Sequence, residues 1–175
     1  MLITTSRRPC HRARLLGREL ERVLPDAKYT PRGVKSIRKL ASLANSFNHK
    51  LIMIIESRAD QPSELLFLDA SVGWQWLGVR IELGDIKLQR DLCQKARLTD
   101  VKITASNQDK ARNFARLVGK MWGLPYSEEP PGGGSAAAFV DNDRELRVQF
   151  HADIGTAPVG PILHVKHFEE SNGES

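Results

Sequence analysis

Two stretches of the chain, beginning one hundred residues apart, share one pattern of apolar and polar residues. Each opens with a short strand-like run, passes a polar corner into a long amphipathic helix, and stops at a Leu-Pro pair. Without gaps, six of 24 positions are identical; Ile3, Thr4, Ser6, Arg12, Leu24 and Pro25 match Ile103, Thr104, Ser106, Arg112, Leu124 and Pro125. The pattern predicts an internal duplication that gives two similar halves.

The spacing of apolar residues predicts an α/β fold with mixed sheets. In the first half we expect strands at 1–5, 27–29, 51–56, 65–70 and 74–82, with a turn at 60–63. Helices are expected from Pro9 to Pro25 and over residues 34–46. The strand at 51–56 is apolar throughout, which is typical of a strand buried on both faces.

The second half is expected to contain a helix at 108–122, a hairpin at 137–140 and 146–151, and a final strand at 161–168. The exposed side of its helix is predicted to be less basic, because Phe114 and Val118 replace Arg14 and Arg18 in the ungapped alignment. We expect one domain over residues 1–168, with halves at 1–92 and 98–168. Residues 86–98 would join the halves, and 169–175 would form a flexible tail.

Charge divides sharply along the 175 residues, which carry a formal net charge of +5. Residues 1–50 hold 12 Lys and Arg against three acids, whereas residues 51–175 hold 14 against 18. This asymmetry predicts a localised footprint for a polyanion, and nucleic acid is the first candidate.

Other composition features narrow the class of protein. The longest run of large apolar residues, 51–55, is far shorter than the ~20 residues that span a bilayer, and no apolar stretch follows the basic N-terminus. Cys10 and Cys93 cannot build a disulfide framework. We therefore expect a reduced, cytoplasmic protein without a membrane partner.

The corner after the first strand carries Arg7 and Arg8 directly before the helix. N–H groups at a helix start and the helix dipole attract anions, and guanidinium groups suit bidentate phosphate contact. The candidate anion-binding residues are Arg7, Arg8, Arg12, Arg14, Arg18 and Arg32, with a second patch formed by Lys35, Arg38 and Lys39. A solvated basic helix surface is the alternative interpretation.

Three patterns that could suggest an enzyme or a metal site have simpler explanations. The glycine run at 132–134 lacks the Lys-Ser/Thr ending of a phosphate loop. His164 and His167, with His151 nearby in sequence, would not converge, because strand residues three apart point to opposite faces. Asp141, Asp143 and Glu145 fit a solvated hairpin turn better than a calcium loop. The sequence predicts no catalytic residues, no metal and no cofactor.

Trp74 and Trp76 lie two apart and so share one face of a strand. They could stack on unpaired bases, but such a pair more often seals a core beneath a helix, and we expect the core.

Three segments of the chain resemble the Brix-domain family of ribosome-biogenesis proteins. Residues 2–9 read Leu-Ile-Thr-Thr-Ser-Arg-Arg-Pro, with Arg12 beyond; residues 24–27 read Leu-Pro-Asp-Ala, followed by Arg32-Gly33; and residues 159–161 read Val-Gly-Pro. Eukaryotic members usually carry a Leu-Pro-x-Gly-Pro-Thr-like segment in mid-domain, where this chain reads Leu-Asp-Ala-Ser-Val-Gly-Trp at 68–74. The chain therefore resembles the compact archaeal form.

The resemblance implies a non-enzymatic factor that binds ribosomal RNA or its precursor during rRNA processing and subunit assembly. It also implies two α/β halves, each similar to the anticodon-binding domain of class II aminoacyl-tRNA synthetases. The basic residues named above then become candidate RNA-binding residues. The alternative function is a protein-interaction scaffold within a pre-ribosomal or other ribonucleoprotein assembly, with ribosomal or ribonucleoprotein proteins as partners.

Overall fold

Nine strands form one mixed sheet in the computed structural model, which describes residues 1–89, 97–129, 136–153 and 155–171. The strands are β1 (Leu2–Thr5), β2 (Lys28–Tyr29), β3 (Leu51–Arg58), β4 (Gln61–Asp69), β5 (Gln75–Lys87), β6 (Val101–Ala105), β7 (Ala136–Asp141), β8 (Leu146–His151) and β9 (Ile162–Glu170). The helices are α1 (His11–Val23), α2 (Ile37–Ser46) and α3 (Asp109–Trp122). The strand order is β2-β1-β3-β4-β5-β9-β8-β7-β6, which confirms the mixed α/β class.

The two halves repeat one pairing scheme outward from the central antiparallel pair β5–β9. In the first half β1 is parallel to β2 and β3, and β3, β4 and β5 follow antiparallel. In the second half β6 is parallel to β7, and β7, β8 and β9 follow antiparallel. The Ile3–Tyr29 pairing of β1 with β2 has a counterpart in a parallel bridge between Ile103 and Tyr126.

The helices cover the sheet unequally. Apolar side chains of α1 and α3 share one buried cluster, which includes Met53 and Ile55 of β3. Ile52 and Ile54 point the other way, into a smaller cluster beneath α2. β3 is therefore buried on both faces, as its sequence predicts, and each such side chain contributes about 1.5–3 kcal/mol through burial.

Helix α1 also joins the two halves. The amide of Leu98 donates to the carbonyl of Arg22 at 2.8 Å. The buried carboxylate of Glu19 accepts from the amide of Gln89 at 2.6 Å, and the side chain of Gln89 donates to the carbonyl of Val159 in the second half at 2.6 Å. A Cβ at Gly160 would lie 2.6 Å from Val23 Cγ1 and 3.1 Å from Phe150 Cβ. Glycine in the Val-Gly-Pro element thus lets α1 approach β8 closely.

Several predicted boundaries shift. The helix expected at 34–46 begins at Ile37, because Ser36 caps it by accepting from the amide of Lys39 at 3.2 Å. The helix expected from Pro9 begins at His11, after the cap residue Cys10. The turn expected at 60–63 is the tighter pair Ala59-Asp60, both with positive φ, and β4 starts at Gln61.

The expectation that Trp74 and Trp76 pack in the core is wrong. Their exposed fractions are 44% and 51%, because α2 does not extend over β5.

The predicted tail and connecting segments are only partly described. β9 continues to Glu170, and the amide of Ser171 donates to the carbonyl of Gly78 at 3.0 Å, so residues 169–171 extend the sheet. Cys93, the glycine run at 132–134, most of the connection at 86–98 and residues 172–175 lie outside the described residues.

Candidate nucleic-acid interface

The first half has a topological switch point at the carboxyl ends of its parallel strands. The chain leaves β1 for α1 on one face of the sheet and leaves β2 for α2 on the other face. Because β1 and β2 are neighbours, the two loops diverge outside the strand ends, the usual place for a ligand in such sheets, and we call this strand-end region the crevice. Residues 6–10 and 30–36 form its two sides.

Arginines of both loops lie at this crevice, but they differ in their exposure to solvent. Arg7 and Arg8 are exposed, whereas Arg32 is only 6% exposed and its Nε donates to the carbonyl of Lys35 at 2.8 Å. Burial first, and then the nearby charge of Arg7, lowers the pKa of Arg32, while Glu56 opposes this. Arg32 therefore lies beneath its loop, and Arg7 and Arg8 present their charge to solvent.

The start of α1 faces the same crevice. The thiol of Cys10 accepts from the amide of Ala13 at 3.3 Å, and the first turn contains no acidic residue. Arg12 is half-buried, and its Nη2 donates to the carbonyl of Ile86 at 2.6 Å. That hydrogen bond attaches α1 to β5, so Arg12 has a positioning role in the fold.

The remaining arginines of α1 form an exposed line that we call the α1 ridge, made of Arg14, Arg18 and Arg22. They are spaced four residues apart and cover about 12 Å along the helix. Within the described residues, no carboxylate lies at ion-pair distance from any of the three. Tyr29 lies beside the ridge; burial raises the pKa of its hydroxyl, and Arg18 and Arg14 partly oppose that rise.

Helix α3 carries a corresponding line, the α3 ridge, made of Arg112, Arg116 and Lys120. α1 begins at His11 and α3 at Asp109, so the helices correspond with a shift of 98 residues, two fewer than the ungapped alignment. Phe114 and Val118 then match the buried Leu16 and Leu20. The expectation that the exposed side of α3 is less basic is therefore wrong, because Arg14 and Arg18 correspond to Arg112 and Arg116 rather than to Phe114 and Val118.

The α3 ridge differs from the α1 ridge in its partners. Arg112 lies 3.8 Å from Asp109, Arg116 lies 3.2 Å from Glu128, and Lys120 lies 3.3 Å from Glu170. The charges of the α3 ridge are thus compensated by neighbouring carboxylates.

The corner between β6 and α3, residues 106–108, contains no basic residue. Asn107 and Gln108 stand where the first half has Arg7 and Arg8, and Asp109 occupies the first turn of α3. The side-chain amide of Asn142 donates to Gln108 Oε1 at 2.9 Å, so the Gln108 side chain is held within the protein.

The predicted second patch lies apart from the α1 ridge. Arg38 and Lys39 are exposed on α2, on the opposite face of the sheet from α1. Lys35 belongs to the loop before α2, and its Nζ donates to the carbonyl of Pro31 in the same loop at 2.8 Å. The structure places Arg7 close enough to Arg32 for their charges to interact and places Lys35 against Arg32, whereas Arg38 and Lys39 lie on α2.

Two side chains of the second half that could suggest a calcium or metal site instead have partners within the protein. Asp141 is buried, not solvated as expected, and accepts from Arg147 at 2.7 Å. His164 Nδ1 lies 2.6 Å from Glu145 Oε1. Across the described ranges, no group of three or more His, Cys, Asp or Glu side chains is placed to hold a metal ion, and no helix is long and apolar enough to cross a membrane.

Comparison with curated proteins gives several archaeal relatives. The chain is 38% identical over 93 residues to a probable Brix domain-containing ribosomal biogenesis protein of Pyrococcus horikoshii, covering 53% of this chain and 41% of that protein. A protein of Methanopyrus kandleri with the same description is 37% identical over 90 residues, covering 51% and 47%. The matches thus span less than half the length of these relatives. No family model matches the chain.

Solved structures match over nearly the whole chain. The crystal structure of a probable ribosomal biogenesis protein from Aeropyrum pernix K1 has a TM-score of 0.80 at 25% identity, covering 94% of this chain and 93% of that one. The archaeal Imp4-like protein Mil has a TM-score of 0.71 at 21% identity, covering 98% and 100%. The resemblance to archaeal Brix-domain proteins is confirmed.

Proposed function

We propose, from this likeness to archaeal Brix domain-containing proteins, that the chain acts in ribosome biogenesis as a non-enzymatic RNA-binding factor. Its ligand is ribosomal RNA or a precursor of it, bound during rRNA processing and subunit assembly. The relatives' names support the process, and the asymmetric charge of the chain supports the ligand. As in the sequence analysis, we place this activity in the cytoplasm.

One observation carries the proposal: among the described residues, Arg7, Arg8 and the α1 ridge have no carboxylate at ion-pair distance, whereas every cation of the α3 ridge has one. Arg7 and Arg8 lie in the loop directly before α1, and the α1 ridge follows on that helix. Guanidinium groups that lack carboxylate partners keep their charge available to phosphates. We therefore assign the main RNA contact to this surface, which we call the α1 surface.

We further propose that the chain is one Brix domain over residues 1–168, formed by duplication of a unit similar to an anticodon-binding domain. The repeated pairing scheme supports a duplication, since β1-α1-β2-β3-β4-β5 and β6-α3-β7-β8-β9 connect parallel and antiparallel neighbours in the same order. In this proposal RNA binding is concentrated in one copy of the unit.

A salt titration of RNA binding tests the proposal. Each phosphate contact adds about 0.7–0.9 to the slope of log affinity against log salt. We expect Arg7→Gln/Arg8→Gln to weaken binding of ribosomal RNA fragments about 10-fold and to make the slope shallower by about 1.5, at an unchanged melting temperature because both side chains are exposed.

Arg97→Gln/Arg144→Gln removes the same charge from exposed arginines outside the first half and serves as the control. Equal affinities for the two variants would place the contact elsewhere. A flat salt dependence of the wild-type protein would reject RNA binding, and partners retained after ribonuclease treatment would then favour the protein scaffold.

A further inference from the structure

Two tryptophans project from the sheet at the turn between β4 and β5. Trp74 directly precedes β5, and Trp76 is the second residue of that strand. Residues two apart in an extended chain point to the same side, and their Cα atoms are about 7 Å apart. About half of each side chain is open to solvent, which is an unfavourable position for so large an apolar surface in the absence of a ligand.

The strand pairing shows which face of the sheet the indoles occupy. Trp76 lies directly opposite Leu68 in the antiparallel ladder, and opposed residues share a face. Leu68 is buried beneath α2 together with residues of β1 and β3. The tryptophans therefore lie on the α2 face of the sheet, one strand beyond the area that α2 covers.

The turn that carries the indoles is held at both ends. Asp69 Oδ1 accepts from the amide of Ser71 at 2.7 Å and from its hydroxyl at 2.6 Å. These hydrogen bonds are the main reason that the pKa of Asp69 lies below its ordinary value, with a smaller effect of Lys50. Beyond the indoles, Gly78 takes a positive φ of 67° and its carbonyl accepts from Ser171. A fixed platform loses little entropy when a ligand binds.

We propose that Trp74 and Trp76 are a stacking platform for unpaired bases of single-stranded RNA. This inference rests on the proposed RNA-binding function and adds a second contact, separate from the α1 surface. Planar bases stack on indoles without sequence preference, and charge complementarity on this face favours RNA: Arg38, Lys39 and Lys50 are exposed on α2 and just after it.

A protein partner fits these features less well. At this turn the exposed large apolar side chains are Val72, Trp74 and Trp76 among the described residues, and exposed cations lie on α2, on the same face of the sheet. Protein interface cores are depleted in charged residues, whereas single-strand sites combine aromatic platforms with a positive surface.

Indole fluorescence reports directly on such stacking. Trp122 is 3% exposed, so a Trp122→Phe variant leaves the two exposed indoles as reporters. We expect quenching by an oligouridine of about ten nucleotides and little quenching by an abasic oligonucleotide of equal length, which presents phosphates alone. Should Trp122→Phe lower the melting temperature, the wild-type protein serves, since its third indole is shielded.

Substitutions of the two tryptophans measure how much the indole rings contribute to the affinity for RNA. Trp74→Leu/Trp76→Leu keeps apolar side chains and removes the rings, and we expect at least a 5-fold loss of affinity for the oligouridine per ring lost, because a base–aromatic stack is worth about 1–3 kcal/mol. Trp74→Phe/Trp76→Phe should retain most of the affinity, a rescue that a merely structural role would not predict.

The outcomes separate this inference from the proposed function. A steep salt dependence with unchanged oligouridine affinity in the leucine variant would overturn the platform and leave the α1 surface intact. Loss of a ribonuclease-resistant partner from that variant, at unchanged RNA affinity, would assign the indoles to a protein. Absence of RNA binding by the wild type would reject both proposals.

Discussion

The α1 and α3 ridges have the same spacing of cations and opposite electrostatic surroundings. Arg14, Arg18 and Arg22 point to solvent without carboxylate partners in the described structure, whereas each cation of the α3 ridge lies within 4 Å of a carboxylate. One architecture thus carries two different surfaces. The difference teaches that the same spacing of basic residues can give surfaces of different net charge, because the acids around them differ.

The largest expected effect comes from removing the charges of the α1 ridge. Arg14→Gln/Arg18→Gln/Arg22→Gln should weaken binding of ribosomal RNA fragments about 10- to 100-fold, given about 0.5–1 kcal/mol for each exposed charge contact. The salt slope should become shallower by about 2–3. Filter binding at several salt concentrations measures both quantities.

The matched variant Arg112→Gln/Arg116→Gln/Lys120→Gln removes the same number of charges from α3. We expect less than about a 3-fold loss, because those cations already interact with carboxylates. Similar losses for the two triple variants would remove the distinction between the halves.

The next effect concerns the contact that joins the halves. A methyl group at Gly160 would overlap Val23 of α1 and crowd Phe150 of β8. We expect Gly160→Ala to lower the free energy of unfolding by about 1–3 kcal/mol and to leave a single transition in thermal or urea unfolding, since both helices share one core.

Gly84→Ala provides the control, because its added Cβ would meet other atoms only at 3.5 Å, an ordinary contact distance. A second unfolding transition in the Gly160 variant would show that the halves are independent units rather than parts of one domain.

The basic residues were easier to predict from the sequence than their surroundings. The strands, the helices and the inward faces of α1 and α3 follow from the apolar period, and the structure confirms them. The two-residue shift between the helices could not be read from an ungapped alignment, because a shorter corner before α3 changes the helical phase. The ion pairs join residues distant in sequence, such as Lys120 and Glu170.

Burial of single residues was predicted less well. Arg32 is buried because its loop folds over it, and Trp74 and Trp76 are exposed because α2 ends its coverage at β4. Both outcomes depend on which strand neighbours which, and strand order between distant segments is not encoded in local patterns.

The smallest effect is a gain of binding. Glu128→Gln/Glu170→Gln removes the carboxylates beside Arg116 and Lys120 and should make the α3 ridge resemble the α1 ridge. We expect an affinity gain of about 2- to 5-fold with a slightly steeper salt slope, since exposed pairs are weak.

The exposed pair Asp100→Asn/Asp143→Asn changes the net charge equally without touching the ridge. An equal gain from that control would mean that total charge, rather than the local partners of α3, governs binding.

The central claim is that RNA lies on the α1 surface of the first half. Ultraviolet crosslinking to ribosomal RNA fragments, followed by mass spectrometry of the crosslinked peptides, tests this most directly. The account predicts that crosslinked peptides cover residues 7–22 and that crosslinks to residues 109–122 are rare. Crosslinks concentrated on α3, with the first half unmodified, would contradict it.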